Sequence, residues 1–154
     1  MLNTLLVVYS YHHNTQKVAE VFAKFFGAEI ITPQQIIPDK LQEYDLVGFG
    51  AGIDSGKHYK PLLDLADNLP QVTEKKAFIF STSAIQGEEK IAKDHTELRQ
   101  KLQVKGYQII GEFSCKGYNT NSFLKVFGGM NKGHPNEQDL KAAEEFAQEL
   151  KQKG

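Results

Sequence analysis

The chain has 154 residues, 40% hydrophobic and 24% charged, with a formal net charge of −1. That length suits one domain around a single core, so residues 1–154 are read as one unit. The near-zero charge gives no reason to expect the concentrated basic face that nucleic acid or an anionic membrane surface requires, and the lone Cys115 excludes an internal disulfide framework.

The first apolar run, "TLLVVYS" (4–10), is nearly continuous, as expected of a strand buried on both faces of a parallel sheet. It is too short to span a membrane and has no basic leader, so a cytoplasmic protein without membrane insertion is expected. Asn14 and Thr15 are helix-starting residues. Val18, Val21, Phe22 and Phe25 then mark one helical face, and Gly27 suits the stop. "AEIIT" (28–32) reads as a second strand, and Pro33 and Pro38 leave room only for a short or irregular helix before Tyr44. "DLVGFG" (45–50) is a third strand, with residues 51–59 as the loop after it, and "KPLLDLADNL" (60–69) is a helix.

"KAFIFSTS" (76–83) is a fourth buried strand. The helix predicted from Glu88 to about Lys105 puts Ile91, His95, Leu98 and Leu102 on one face, and "YQIIGEF" (107–113) is a fifth strand. Residues 114–135 form a connection longer than compact domains usually carry, with Phe123, Val126 and Phe127 as its anchors over the functional edge. Residues 136–152 are the last helix, with Asn136 as N-cap, acids in the first turn and lysines in the last. Strand and helix alternate throughout, which predicts an open α/β sandwich with right-handed crossovers. Ligands in such folds sit beyond the carboxyl ends of the strands. The segments to inspect are therefore 10–15, 51–59, 82–88 and the stretch after 113.

Residues 10–15, "SYHHNT", lie between a buried strand and a helix start. A helix N-terminus carries about half a unit of positive charge and unpaired N–H groups, which suits a phosphate. Ser10 and Thr15 offer hydroxyls and Asn14 an amide. The glycine usual in such turns is absent, but His and Asn tolerate a left-handed backbone better than most residues. From these residues alone, a phosphate turn and a plain connection stand about even. Adjacent His12 and His13 rarely converge on one ion, and no Cys, Asp or Glu cluster joins them, so no metal is expected. A P-loop motif is absent, "GFGAG" follows the third strand rather than the first, and Asp45 stands at the wrong end of its strand for a phosphoacceptor. Cys115 has neither a following Arg nor an evident base and reads as a buried thiol. The small residues of "GAGIDSGKHYK" allow a flat ring to approach the backbone, and Tyr59 and Tyr118 are candidates to stack on one.

Together these residues resemble the flavodoxin family over essentially the whole chain. "SYHHNT" is similar to the family's S/T-x-T-G-N-T phosphate loop at Ser10, Asn14 and Thr15, with His12 and His13 where the family has Thr and Gly. Residues 45–69 resemble the family's strand, flavin loop and helix. Residues 111–150 resemble the tail of a short-chain subgroup, whose aromatic pair is replaced here by Asp54 and Ser55. The resemblance implies a three-layer sandwich with a five-stranded parallel sheet of order 2-1-3-4-5 and helices on both faces; flavodoxin is itself the standard example of that order. It also implies non-covalent FMN. Ser10, Tyr11, His12, His13, Asn14 and Thr15 would hold the phosphate. Ala51, Gly52, Ile53, Asp54, Ser55 and Gly56 would lie against the ring, and Thr82, Ser83, Ala84 and Tyr118 would close the other side.

The activity implied is electron transfer between protein partners, with no catalytic acid or base. The alternatives are an FMN-dependent NAD(P)H:quinone-type reductase and a binding module of the same fold that has lost the flavin. Asp54, a negative charge beside the ring, is a candidate for lowering its potential. The weak net charge implies weaker long-range steering to a basic partner than in strongly acidic relatives.

Overall fold

The computed structural model describes residues 3–10, 13–84, 86–117 and 133–153. Strand β1 (Thr4–Tyr9) lies at the centre of the sheet. Its apolar run serves two faces in alternation: Leu5 and Val7 enter one hydrophobic cluster, Leu6 and Val8 the other. It pairs in parallel with β2 (Glu29–Ile31) on one side and β3 (Leu46–Asp54) on the other. Beyond β3 come β5 (Lys75–Ser83) and β6 (Tyr107–Lys116), also parallel. The two-residue β4 (Lys57–His58) folds back antiparallel on the tip of β3. Leaving β4 aside, the five parallel strands run in the expected order 2-1-3-4-5.

Helix α1 (Asn14–Phe26) buries Val18, Ala19 and Phe22 against one face of the sheet, beside α4 (Glu137–Lys153) with Ala143, Ala147 and Leu150. The opposite face is covered by α2 (Lys60–Asp67) and α3 (Glu88–Val104), whose Leu62, Leu63, Leu98 and Leu102 meet Val47, Phe49 and Ile79. A 3₁₀ turn at Pro38–Glu43 is the short helix the prolines left room for. Gly27, at φ 63, ends α1 in the left-handed conformation. Asn136 and Asp139 cap α4 reciprocally: each backbone N–H donates to the other's side chain, at 2.8 and 3.0 Å.

Two boundaries differ from the sequence reading. Residues 51–54 continue β3 as strand, because Ala51 and Gly52 pair with Ser81 and Thr82; the loop predicted over 51–59 is a β-hairpin. Strand β6 runs on to Lys116, so the long connection predicted from 114 starts later. Phe123, Val126 and Phe127 lie outside the described residues. Among the described residues no helix is long and apolar enough to cross a membrane.

Candidate functional site

Three segments meet beyond the carboxyl ends of β1, β3, β5 and β6. The first is the turn into α1. His13 occupies the N-cap position at φ 64, ψ 6, the left-handed backbone that glycine adopts most readily. Its imidazole makes no capping bond. The cap comes from Ser10 instead, whose Oγ accepts the Gln16 N–H at 3.3 Å. The first-turn amides of α1 therefore face the turn, as the phosphate reading requires. Thr15 is 1% exposed, and its hydroxyl lies 2.8 Å from that of Thr82, tying α1 to β5. Tyr11 and His12 lie outside the described residues.

The second segment is the hairpin. Ser55 at φ 54 and Gly56 at φ 79 make its two-residue turn, between Asp54 and Lys57, which stand opposite each other. Ala51 is fully buried, so its side chain belongs to the core, while Asp54, Ser55 and Gly56 are exposed. Gly52 has the Tyr59 ring over it: a Cβ there would stand 2.6 Å from that ring. Tyr59 in turn meets Tyr9 edge-on at 5.7 Å. A cavity of about 490 Å³ beside the hairpin is lined by Asp54, Lys57, His58 and Tyr59 together with Asp64 and Glu97.

The third segment follows β5. Thr82 and Ser83 are buried and Ala84 is partly exposed. Gly117, just past β6, donates its N–H to the Ser83 carbonyl, and a Cβ on it would meet Asn14 Nδ2 at 3.0 Å and Thr82 Cβ at 3.1 Å. Asn14, Thr82 and Gly117 are thus brought into contact from three segments distant in sequence. Gln86 holds the third segment to β6: its amide donates to Ser83 Oγ (2.7 Å), Cys115 O (3.1 Å) and Ser114 Oγ (3.3 Å). Tyr118 lies outside the described residues.

Behind this edge runs a buried polar network that the sequence reading did not assemble. Ser81 Oγ is 2.7 Å from His95 Nε2 and 2.9 Å from Ser114 Oγ. His95 Nδ1 is 2.9 Å from Glu112 Oε1, and Arg99 clamps the same carboxylate with two bonds of 2.7 and 2.8 Å. Burial pushes the Glu112 carboxyl up, but the hydrogen bonds and charges of His95 and Arg99 outweigh that and bring it down to about 2. His58, fully buried 4.9 Å from the His95 ring, donates from Nε2 to the Phe80 carbonyl at 3.1 Å, and Nδ1 has no hydrogen-bond partner of ordinary geometry among the described residues. Burial, then the neighbouring His95 charge, lower His58 to about 3. The one sequence signal was His95 on an otherwise apolar face of α3. Its partners come from β5 and β6, which no local pattern connects.

Cys115 is 5% exposed in the core, and burial, helped by Asp139, pushes its thiol up to about 12. It is a packed thiol and not a nucleophile. Among the described residues no group of three His, Cys, Asp or Glu side chains is arranged to hold a metal ion.

A family model described as a flavodoxin domain matches residues 6–132. The chain is 45% identical over 150 residues to the uncharacterized protein MJ0298 of Methanocaldococcus jannaschii, covering 97% of this chain and 98% of that one. Oxidised flavodoxin 2 from Bacillus cereus superposes with a TM-score of 0.72 at 16% identity over 99% of both chains. A Fusobacterium nucleatum flavodoxin bound to flavin mononucleotide superposes with a TM-score of 0.68 at 10% identity, again over 99% of both. At such identities these two structures speak for the fold alone.

Proposed function

The chain belongs to the flavodoxin family, and from that premise we propose that it binds FMN without a covalent bond and carries electrons between partner proteins. The observation that carries this reading is His13. A histidine held at φ 64 takes the left-handed backbone that glycine adopts most readily, and the α1 amides stay directed at the turn. The donor set fits a phosphate: Ser10, Asn14 and the first-turn amides, with no carboxylate in that turn of α1. Thr15 contributes its backbone, since its hydroxyl is engaged with Thr82. Hairpin residues 52–56 and residues 82–84 flank the place for the ring, with Tyr59 beside Gly52.

Bound FMN would supply the redox chemistry. This chain's residues bind the phosphate, shield one ring edge and set the local charge. Asp54, exposed at the hairpin tip, is the carboxylate placed to disfavour added negative charge there. Replacing it, Asp54→Asn, is expected to raise the reduction potential of the bound flavin; an unchanged potential would remove Asp54 from the account. The reading itself is tested by mixing purified protein with excess FMN and passing it through gel filtration. The protein peak is expected to retain the visible flavin bands, and a colourless peak would overturn the proposal. Steady-state NAD(P)H oxidation with a quinone by the loaded protein alone would point to a reductase rather than a carrier.

A further inference from the structure

The buried chain behind the site has a direction that can be worked out. The Ser81 hydroxyl donates to Ser114 Oγ at 2.9 Å, so its single proton is used there. Its 2.7 Å contact with His95 therefore needs a proton on Nε2. Glu112 is an anion clamped by Arg99 and can only accept, so its 2.9 Å contact needs a proton on Nδ1 as well. Both ring nitrogens are donors in this arrangement, and His95 is an imidazolium between a carboxylate and a hydroxyl.

Loss of one proton must come from Nε2, because Glu112 holds the other. The bare Nε2 then accepts, and Ser81 must turn its hydroxyl away from Ser114 to donate to it. Ser114 loses its donor and turns in its place to donate to Ser81. Gln86 shares its amide protons among Ser114, Ser83 and the Cys115 carbonyl, so it feels that reversal directly. The spacing of Ser81, His95 and Glu112 is that of a hydrolytic triad, but Ser81 is 1% exposed, so no substrate reaches it.

We propose that His95 is a positioning residue whose protonation state sets the direction of the Ser81–Ser114–Gln86 chain and so the placement of Ser83 and Gln86. Its consequence for cofactor affinity rests on the reading that these residues flank FMN. The charged and titratable groups around His95 are Glu112 from β6, His58 from β4, and Asp94 with its partner Lys90, and Arg99, from α3 itself. The proton exchanges with solvent; no covalent bond changes.

The first arm of the test uses the cofactor-free full chain. A ¹⁵N NMR titration is expected to show Nε2 of His95 losing its proton while Nδ1 keeps its own. The Gln86 side-chain amide and the Ser114 backbone amide should shift with the same midpoint. In Ser81→Ala, which cuts the chain while leaving the His95–Glu112 pair, His95 should still titrate and Gln86 should stop following. Gln86 resonances that ignore the His95 titration in the wild type, or that follow it unchanged in Ser81→Ala, would overturn the inference. The second arm measures FMN dissociation constants across the same pH range. A change of about fivefold or more, the lower end of ordinary coupling between sites, is expected in the wild type and its loss in His95→Gln. Absence of FMN binding at any pH would sink the functional reading and leave the first arm standing. A flat FMN affinity in the wild type would sink the coupling alone.

Discussion

His13 combines a cost with a purpose. A side chain in the left-handed region carries about 1–2 kcal/mol of strain, less for residues that tolerate it, and glycine carries almost none. His13→Gly is therefore expected to raise stability by up to about 1 kcal/mol in urea unfolding, and to keep or tighten FMN binding. His13→Val, branched at Cβ, should do the opposite on both measurements. Thr15 makes a contrasting case. Valine keeps its shape but leaves the buried Thr82 hydroxyl without its partner, at a cost of about 1–3 kcal/mol. Loss of FMN affinity in Thr15→Val without loss of stability would contradict the place given to that hydroxyl.

His58 sets the acid limit of the fold. Unfolded, a histidine takes its proton near 6.5; in the fold His58 waits until about 3. Between these values the unfolded chain binds more protons, so stability falls as pH falls, by up to about 1.4 kcal/mol per pH unit. Glu112 adds its own loss only below its ordinary 4.5, down to about 2. His58→Gln should therefore lessen the dependence of the urea midpoint on pH from 6.5 down to about 3, relative to the wild type, and leave the Glu112 loss below 4.5 in place. Parallel curves for the two proteins over that range would contradict this account.

At the scale of elements, β3 and β5 show how a local pattern and a tertiary contact divide the work. The glycines of "DLVGFG" were legible as points of close approach, but what approaches was not. Gly48 and Gly50 lie under the Phe78 and Phe80 rings, and a Cβ on Gly50 would fall 2.2 Å from Phe80. Gly50→Ala is expected to cost about 1–3 kcal/mol through overpacking, read as a lowered urea midpoint; an unchanged midpoint would show that the rings shift freely. The hairpin at 54–57 was hidden for a similar reason. Two residues of antiparallel strand give too little alternation to detect, and Ser55–Gly56 reads equally as loop. The buried network is least legible of all, since it joins β5, α3 and β6 across residues 81, 95 and 112.

For the whole molecule, the alternation of buried runs and amphipathic helices was enough to give the layers, because each parallel strand must serve two apolar faces. Leu5 and Val7 on one side and Leu6 and Val8 on the other realise that in four consecutive residues. The strand order was available only through the family resemblance, since nothing in strand spacing tells which neighbour each strand takes. The candidate site was legible as three positions along the chain, and only folding brings Asn14, Thr82 and Gly117 into contact.

The central claim is that the turn holding His13 binds a phosphate that anchors a flavin. A fluorescence titration with FMN, run beside one with riboflavin, tests it most directly, because the two differ only in that phosphate. The account predicts that FMN binds markedly tighter than riboflavin and that added inorganic phosphate weakens FMN binding. Equal affinity for the two, or binding of neither, would contradict it.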